Sequence, residues 1–95
     1  MRPGQLEGKE VIDSKAQVVG EVAGIEIDVH PRKWKVAHLL VKLSDDAIET
    51  LKYDKPIFGK VVADLPVDVV KVVSDVITLK KSTTELRVVA EPHEE

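Results

Sequence analysis

The chain has 95 residues, 43% of them hydrophobic and 33% charged, and a formal net charge of −3. That leaves room for one domain with one core, is too apolar for a disordered chain, and is too acidic for a phosphate-binding surface. Cysteine is absent, which excludes disulfides, thiolate metal sites and thiol nucleophiles together. No run approaches the roughly 18 apolar residues that span a bilayer, and Met1-Arg2-Pro3-Gly4-Gln5 lacks a signal peptide's apolar stretch. A cytoplasmic protein is therefore expected. Asn is also absent, Gln occurs only at 5 and 17, and Lys and Glu are plentiful, so heat-labile side chains are avoided. A thermophilic source and a melting temperature above the mesophile range are the corresponding expectations.

Valine pairs such as Val18-Val19, Val61-Val62, Val69-Val70, Val72-Val73 and Val88-Val89 favour strands, because branching at Cβ suits a pleated surface better than a helix. The first strand is read as Lys9 to Ile12, ended by the turn Asp13-Ser14-Lys15. The second runs from about Gln17 to Val29. Val18 and Val22 share one parity with Glu21 opposite, and after Gly24 the apolar parity switches to Ile25, Ile27 and Val29. A one-residue slip turns a strand over, so a bulge is predicted near Ala23-Gly24. Gly20 and Gly24 are the positions where a strongly bent strand needs relief from a side chain.

His30-Pro31-Arg32-Lys33 connects to a third strand, Trp34 to Leu43. Ala37, Leu39, Val41 and Leu43 form one apolar face, and the other parity carries Trp34, Val36, His38 and Leu40 before Lys42. An outward face that apolar marks an association surface. Ser44 to Leu51 reads as one or two helical turns, capped by Ser44 or an aspartate, with Ile48 and Leu51 plugging an open end of the fold. Strand four is Ile57 to Ala63, and Pro66 opens a short turn. Val69 to Val73 returns as a strand, and Ser74-Asp75 turns it into Val76 to Leu79. Lys80 to Thr84 is a polar connection, Leu86 to Ala90 a last strand, and Glu91-Pro92-His93-Glu94-Glu95 a solvated acidic tail.

The stretches Leu6-Glu7-Gly8-Lys9-Glu10-Val11-Ile12-Asp13, Gln17-Val18-Val19-Gly20-Glu21-Val22 and Leu65-Pro66-Val67-Asp68-Val69-Val70-Lys71-Val72-Val73-Ser74-Asp75-Val76-Ile77-Thr78-Leu79 occur in an order that resembles the PRC-barrel family. The likeness covers roughly residues 6 to 80. Ser74 departs from it, standing where many relatives have Gly, and the segment after Leu79 lies beyond the family pattern. The resemblance implies an all-β fold, a small six-stranded PRC-type β-barrel with one short helix, over residues 1–80. Residues 81–95 would be a C-terminal extension with an extra strand and the acidic tail. It also implies a non-catalytic adaptor, as in the reaction-centre H subunit and the C-terminal domain of the ribosome-maturation factor RimM. Short free-standing versions are typical of archaea, where they look like partners of SepF, the membrane tether of FtsZ. Recruitment to the division site by such a partner follows from the likeness alone.

No chemistry-bearing constellation stands out. His30, His38 and His93 lie in a turn, a strand and the tail, without metal-ligand spacing. Helix capping accounts for Asp45-Asp46 without a Mg²⁺ site. Ser14, Ser44, Ser74 and Ser82 lie in turns or loops, none in a nucleophile elbow, and no glycine loop precedes a phosphate-cradling helix. No catalytic, cofactor-binding or metal residue is assigned. The contrary signal is Arg32-Lys33-Trp34-Lys35, where basic residues beside an aromatic can pair with phosphate and stack on a base. The acidic total favours a protein contact there instead. The expected partner or dimer interface is thus Arg32, Trp34, Val36, His38 and Leu40, on a homodimer whose twofold axis covers the apolar face. The alternatives are a ribosome- or RNA-associated factor and a small-ligand regulator using the barrel mouth. The latter lacks convergent polar groups.

Overall fold

The computed structural model describes residues 6–30, 33–53 and 60–92. Seven strands are present there: β1 (Glu10–Ile12), β2 (Val18–His30), β3 (Lys33–Leu43), β4 (Val62–Pro66), β5 (Val70–Val73), β6 (Val76–Leu79) and β7 (Glu91–Pro92). Two short helices, α1 (Asp45–Leu51) and α2 (Thr83–Leu86), complete the elements with a 3-10 turn at Val67–Val69. All strands belong to one sheet in the order β5-β6-β1-β2-β3-β4-β7. Pairing is antiparallel except between β1 and β6, which run parallel.

The all-β class holds, while the expected closed barrel of six strands is corrected to a seven-stranded sheet with two ends. Among the described residues no ladder joins β5 to β4 or β7. The physical reason lies at β4, whose outer edge is taken by β7 through Ala63↔Pro92 and Asp64↔Glu91. The sheet is nevertheless curled. β4 and β5 stand on opposite sides of the strand order, yet the 3-10 turn alone connects them. Four Cα steps reach no more than about 14 Å, so the two sides must approach each other at that end.

The long β2–β3 hairpin is the spine of the fold. Its ladder slips between Val22 and Gly24, leaving Ala23 as the extra residue, and the predicted bulge is there. Beyond it Ile25 faces Leu39 and Ile27 faces Ala37, so the apolar side is restored. A second irregularity was not foreseen. Against β1, Val11 faces Gly20 and Ile12 faces Val18, which makes Val19 an extra residue. Val19 is fully buried and Val18 is 46% exposed, so Val18 does not share the inward side with Val22.

Gly20 is required by close approach. A Cβ there would collide with the carbonyl oxygen of Lys42, with the carbonyl carbon only 2.8 Å away. Gly24 is different: a Cβ would stand 3.9 Å from Leu40 Cδ1, an ordinary contact. Relief from a side chain is therefore needed at one glycine and not at both.

The core gathers Val11, Val22, Leu39, Val41, Leu65, Ile77 and Leu79 from the sheet, with Ile48 and Leu51 from α1 and Leu86 from α2. Ser44 caps α1, its Oγ accepting the Ala47 N–H at 3.2 Å, and the helix ends at Lys52 in the left-handed region (φ 59°). The expected strand from Leu86 to Ala90 is corrected. Ser82 and Glu85 form a reciprocal capping box, Ser82 Oγ accepting the Glu85 N–H at 3.3 Å and Glu85 Oε1 accepting the Ser82 N–H at 3.0 Å. That box starts a helical turn, which outweighs the strand preference of Val88-Val89. Within residues 81–92, Leu86 is fully buried in the common core. Strand four shifts as well: β4 starts at Val62 and runs to Pro66, and residues 57–59 of the expected strand, with Phe58, lie outside the described residues.

Candidate functional site

The outer face of β3 is built by its two neighbours. His38 faces Glu26 on β2 and Pro66 on β4; Leu40 faces Gly24 and Asp64 in the same way. Both side chains are half-buried, Leu40 lying over the space that Gly24 leaves. Cross-strand neighbours at such spacing are in contact range, so this part of the face is a mixed patch of apolar and ionisable groups. Pro31 and Arg32, and the side chains of Lys33, Trp34, Lys35 and Val36, lie outside the described residues. Of the five expected interface residues, the structure places His38 and Leu40 side by side on one face.

Among the described residues, apolar exposure also gathers at the other end of the sheet. Val67, Val72 and Val73 are 41%, 46% and 43% exposed, and all three belong to β5 or the turn that leads into it. β5 ends the sheet, pairing with β6 on one side. The doublet Val72-Val73 was the available signal. Two consecutive valines on a strand cannot both face inward, and a strand at the sheet end has no neighbour to cover the other.

An open groove of about 720 Å³ lies where the start of β2 meets α1 and α2, lined among others by Gln17, Val18, Ser44, Asp46, Glu49 and Thr83. Two of its hydroxyls are committed to the fold. Ser44 Oγ lies 3.3 Å from the Val18 carbonyl as donor while it caps α1, and Thr83 Oγ1 donates to Asp13 Oδ2 at 2.7 Å.

Asp13 is the buried carboxylate that sequence reading treated as a turn residue. It is 1% exposed. Oδ1 accepts the N–H groups of Lys15 and Gln17 at 2.9 and 2.8 Å, and Oδ2 accepts the Thr83 N–H at 2.9 Å besides its hydroxyl. Burial raises its pKa, but the bonds from Thr83, Gln17 and Lys15 together outweigh burial and hold it below the ordinary 3.8. With four donors satisfied, this carboxylate is a structural staple between the β1–β2 turn and α2 and has no lone pair well placed for a substrate.

Near the other sheet end, burial first, then the charges of Glu91 and Asp64, push the Tyr53 hydroxyl above its ordinary 10.0. Lys42 and Lys60 stand together at the β3–β4 side, where hydrogen bonding to Lys42 and then its charge lower Lys60 while Glu21 opposes them. Among the described residues no three His, Asp or Glu side chains are grouped to hold a metal, and no helix is long and apolar enough to cross a membrane. Compared with known proteins, no family model matches this chain, and no curated protein matches it either.

Proposed function

We propose that this chain is a non-catalytic protein-binding adaptor of the PRC-barrel type, working as a homodimer. The observation that supports it most is the apolar end of the sheet, where Val72 and Val73 of β5 and Val67 of the turn before it are exposed and where, among the described residues, β5 pairs with β6 alone. Such an edge is suited to adding another chain rather than to holding a small molecule. The curl of the sheet and the order of motifs from residue 6 to 80 agree with an opened-out version of the family's six-stranded barrel. The face of Arg32, Trp34, Val36, His38 and Leu40 is the proposed docking surface for a protein partner.

From the family resemblance, the partner is a SepF-like membrane tether of an archaeal division machinery, which would recruit this protein from the cytoplasm to the division site. Affinity capture from an archaeal extract should recover that tether. Recovery of ribosomal proteins alone would reject the division role and favour ribosome maturation.

A further inference from the structure

We propose that β7 is a displaceable cover on the outer edge of β4, and that the edge beneath it takes an extended segment of a partner protein carrying lysine or arginine. The proposal rests on the adaptor reading and deepens it by stating the chemistry the partner brings. Leu43 N–H donates to the Val61 carbonyl at 2.9 Å. Backbone groups alternate in an antiparallel pair, so Val61, Ala63 and Leu65 turn theirs to β3 while Val62, Asp64 and Pro66 turn theirs outward. β7 covers that row with two residues, both exposed, and its register sets Glu91 against Asp64 and Pro92 against Ala63. The backbone groups of Asp64 and Glu91 therefore face each other. Those of Pro92 point away from β4, where a proline has no N–H to offer a further strand. β7 thus closes the edge to indiscriminate pairing while gripping it at one pair of residues.

A permanent cover would not set two carboxylates at that pair. Residues directly opposite on antiparallel strands share a face, and like charges in that position destabilise the pairing. Tyr53 adds to the imbalance, since its Oη is buried with no hydrogen-bond partner among the described residues. Burial, then the charges of Glu91 and Asp64, keep its proton on. An ammonium or guanidinium in the place of Glu91 would set an opposite charge against Asp64 and bring the phenol oxygen a donor. That selects the occupant. A second copy adding its own β7 would bring Glu91 again, and an acidic segment would repeat the repulsion. Leu40 faces Asp64 across β3 and β4, so the edge continues the face that holds His38 and Leu40. Main-chain bonds to Val62 and Asp64 would hold the added strand, and its basic side chain would set the preference.

The test uses two capped, fluorescein-labelled hexapeptides on the full chain, one alternating lysine with valine and one alternating glutamate with valine. By fluorescence polarisation, wild type should bind the lysine peptide at least about tenfold more tightly, and the amide signals of Val62 and Asp64 should shift in NMR spectra. Glu91 is exposed, so Glu91→Lys leaves the core untouched. It pairs with Asp64, fastens β7, and should weaken lysine-peptide binding about tenfold. Adding Asp64→Lys to Glu91→Lys restores the repulsion with the sign reversed, and this double variant should prefer the glutamate peptide. Glu10→Lys makes the same charge change on exposed β1, three places from β4 in the strand order, and should bind like wild type. Failure of wild type to bind either peptide up to about 1 mM overturns the proposal. An equal loss in Glu10→Lys, or a double variant that keeps the lysine preference, overturns it as well. Each of these leaves the adaptor reading standing if a partner protein is captured, whereas selective peptide binding without any captured partner would reject that reading and keep this edge.

Discussion

Asp13 shows how much of the fold hangs on a single side chain. Its carboxylate joins the turn after β1 to α2, 70 residues away in sequence, with four hydrogen bonds. Asp13→Ala should cost about 2–4 kcal/mol in urea unfolding, because buried donors at Thr83 and in the turn lose their acceptor. The folded pKa lies below the unfolded 3.8, so the stabilisation is fully present above that value and is lost as pH falls through the folded pKa. The stability gap between wild type and Asp13→Asn should accordingly narrow in acid below about pH 4; a gap constant down to pH 2 would refute the assignment. The two strand glycines make a paired test. Gly20→Ala drives a methyl into the Lys42 carbonyl and should lose more than about 3 kcal/mol, whereas Gly24→Ala meets only Leu40 and should stay within about 1 kcal/mol of wild type in the same measurement. Sequence pointed to both glycines equally. Which one is irreplaceable depends on how near β3 passes, and local pattern does not carry that distance.

At the scale of elements, the long hairpin and α1 were legible because each has a repeating signal. Alternation marked β2 and β3, the parity switch located the bulge at Ala23, and Ser44 with the following acids marked the helix start. The errors have equally local causes. Val88-Val89 looked like a strand, yet the Ser82-x-x-Glu85 box had already committed the chain to a helical turn, and Val88 ends up 89% exposed. Removing that box should expose the competition: Ser82→Ala is expected to lower stability by about 1 kcal/mol in thermal unfolding, through loss of the cap on a helix whose Leu86 fills the core. An unchanged melting temperature would mean that Asp13 alone holds α2. The bulge at Val19 was missed because Val18, Val19 and Val22 are all apolar, so nothing in the alternation says which valine is the extra residue.

For the whole molecule, the division at residue 80 meets a shared core. Leu86 is fully buried in the one core cluster to which β1, β6 and α1 also contribute, and the Thr83 bonds reach Asp13. A chain ending at Lys80 should therefore lose at least about 3 kcal/mol and melt without a sharp cooperative transition by differential scanning calorimetry; a truncated chain as cooperative as the full one would restore the 1–80 unit. By itself the sequence determined the class of fold: valine-rich runs at regular spacing, punctuated by turn residues, bury their apolar sides best as strands of a sheet. It also determined where several elements begin and end, since capping residues and parity switches act over a few positions. Tertiary structure alone decided that the sheet stays open, because this depends on β7 reaching the edge of β4 from the far end of the chain. It likewise decided where apolar surface remains exposed. Exposure is a property of which strand has no neighbour, and strand order is set by long-range pairing rather than by any residue's own preference.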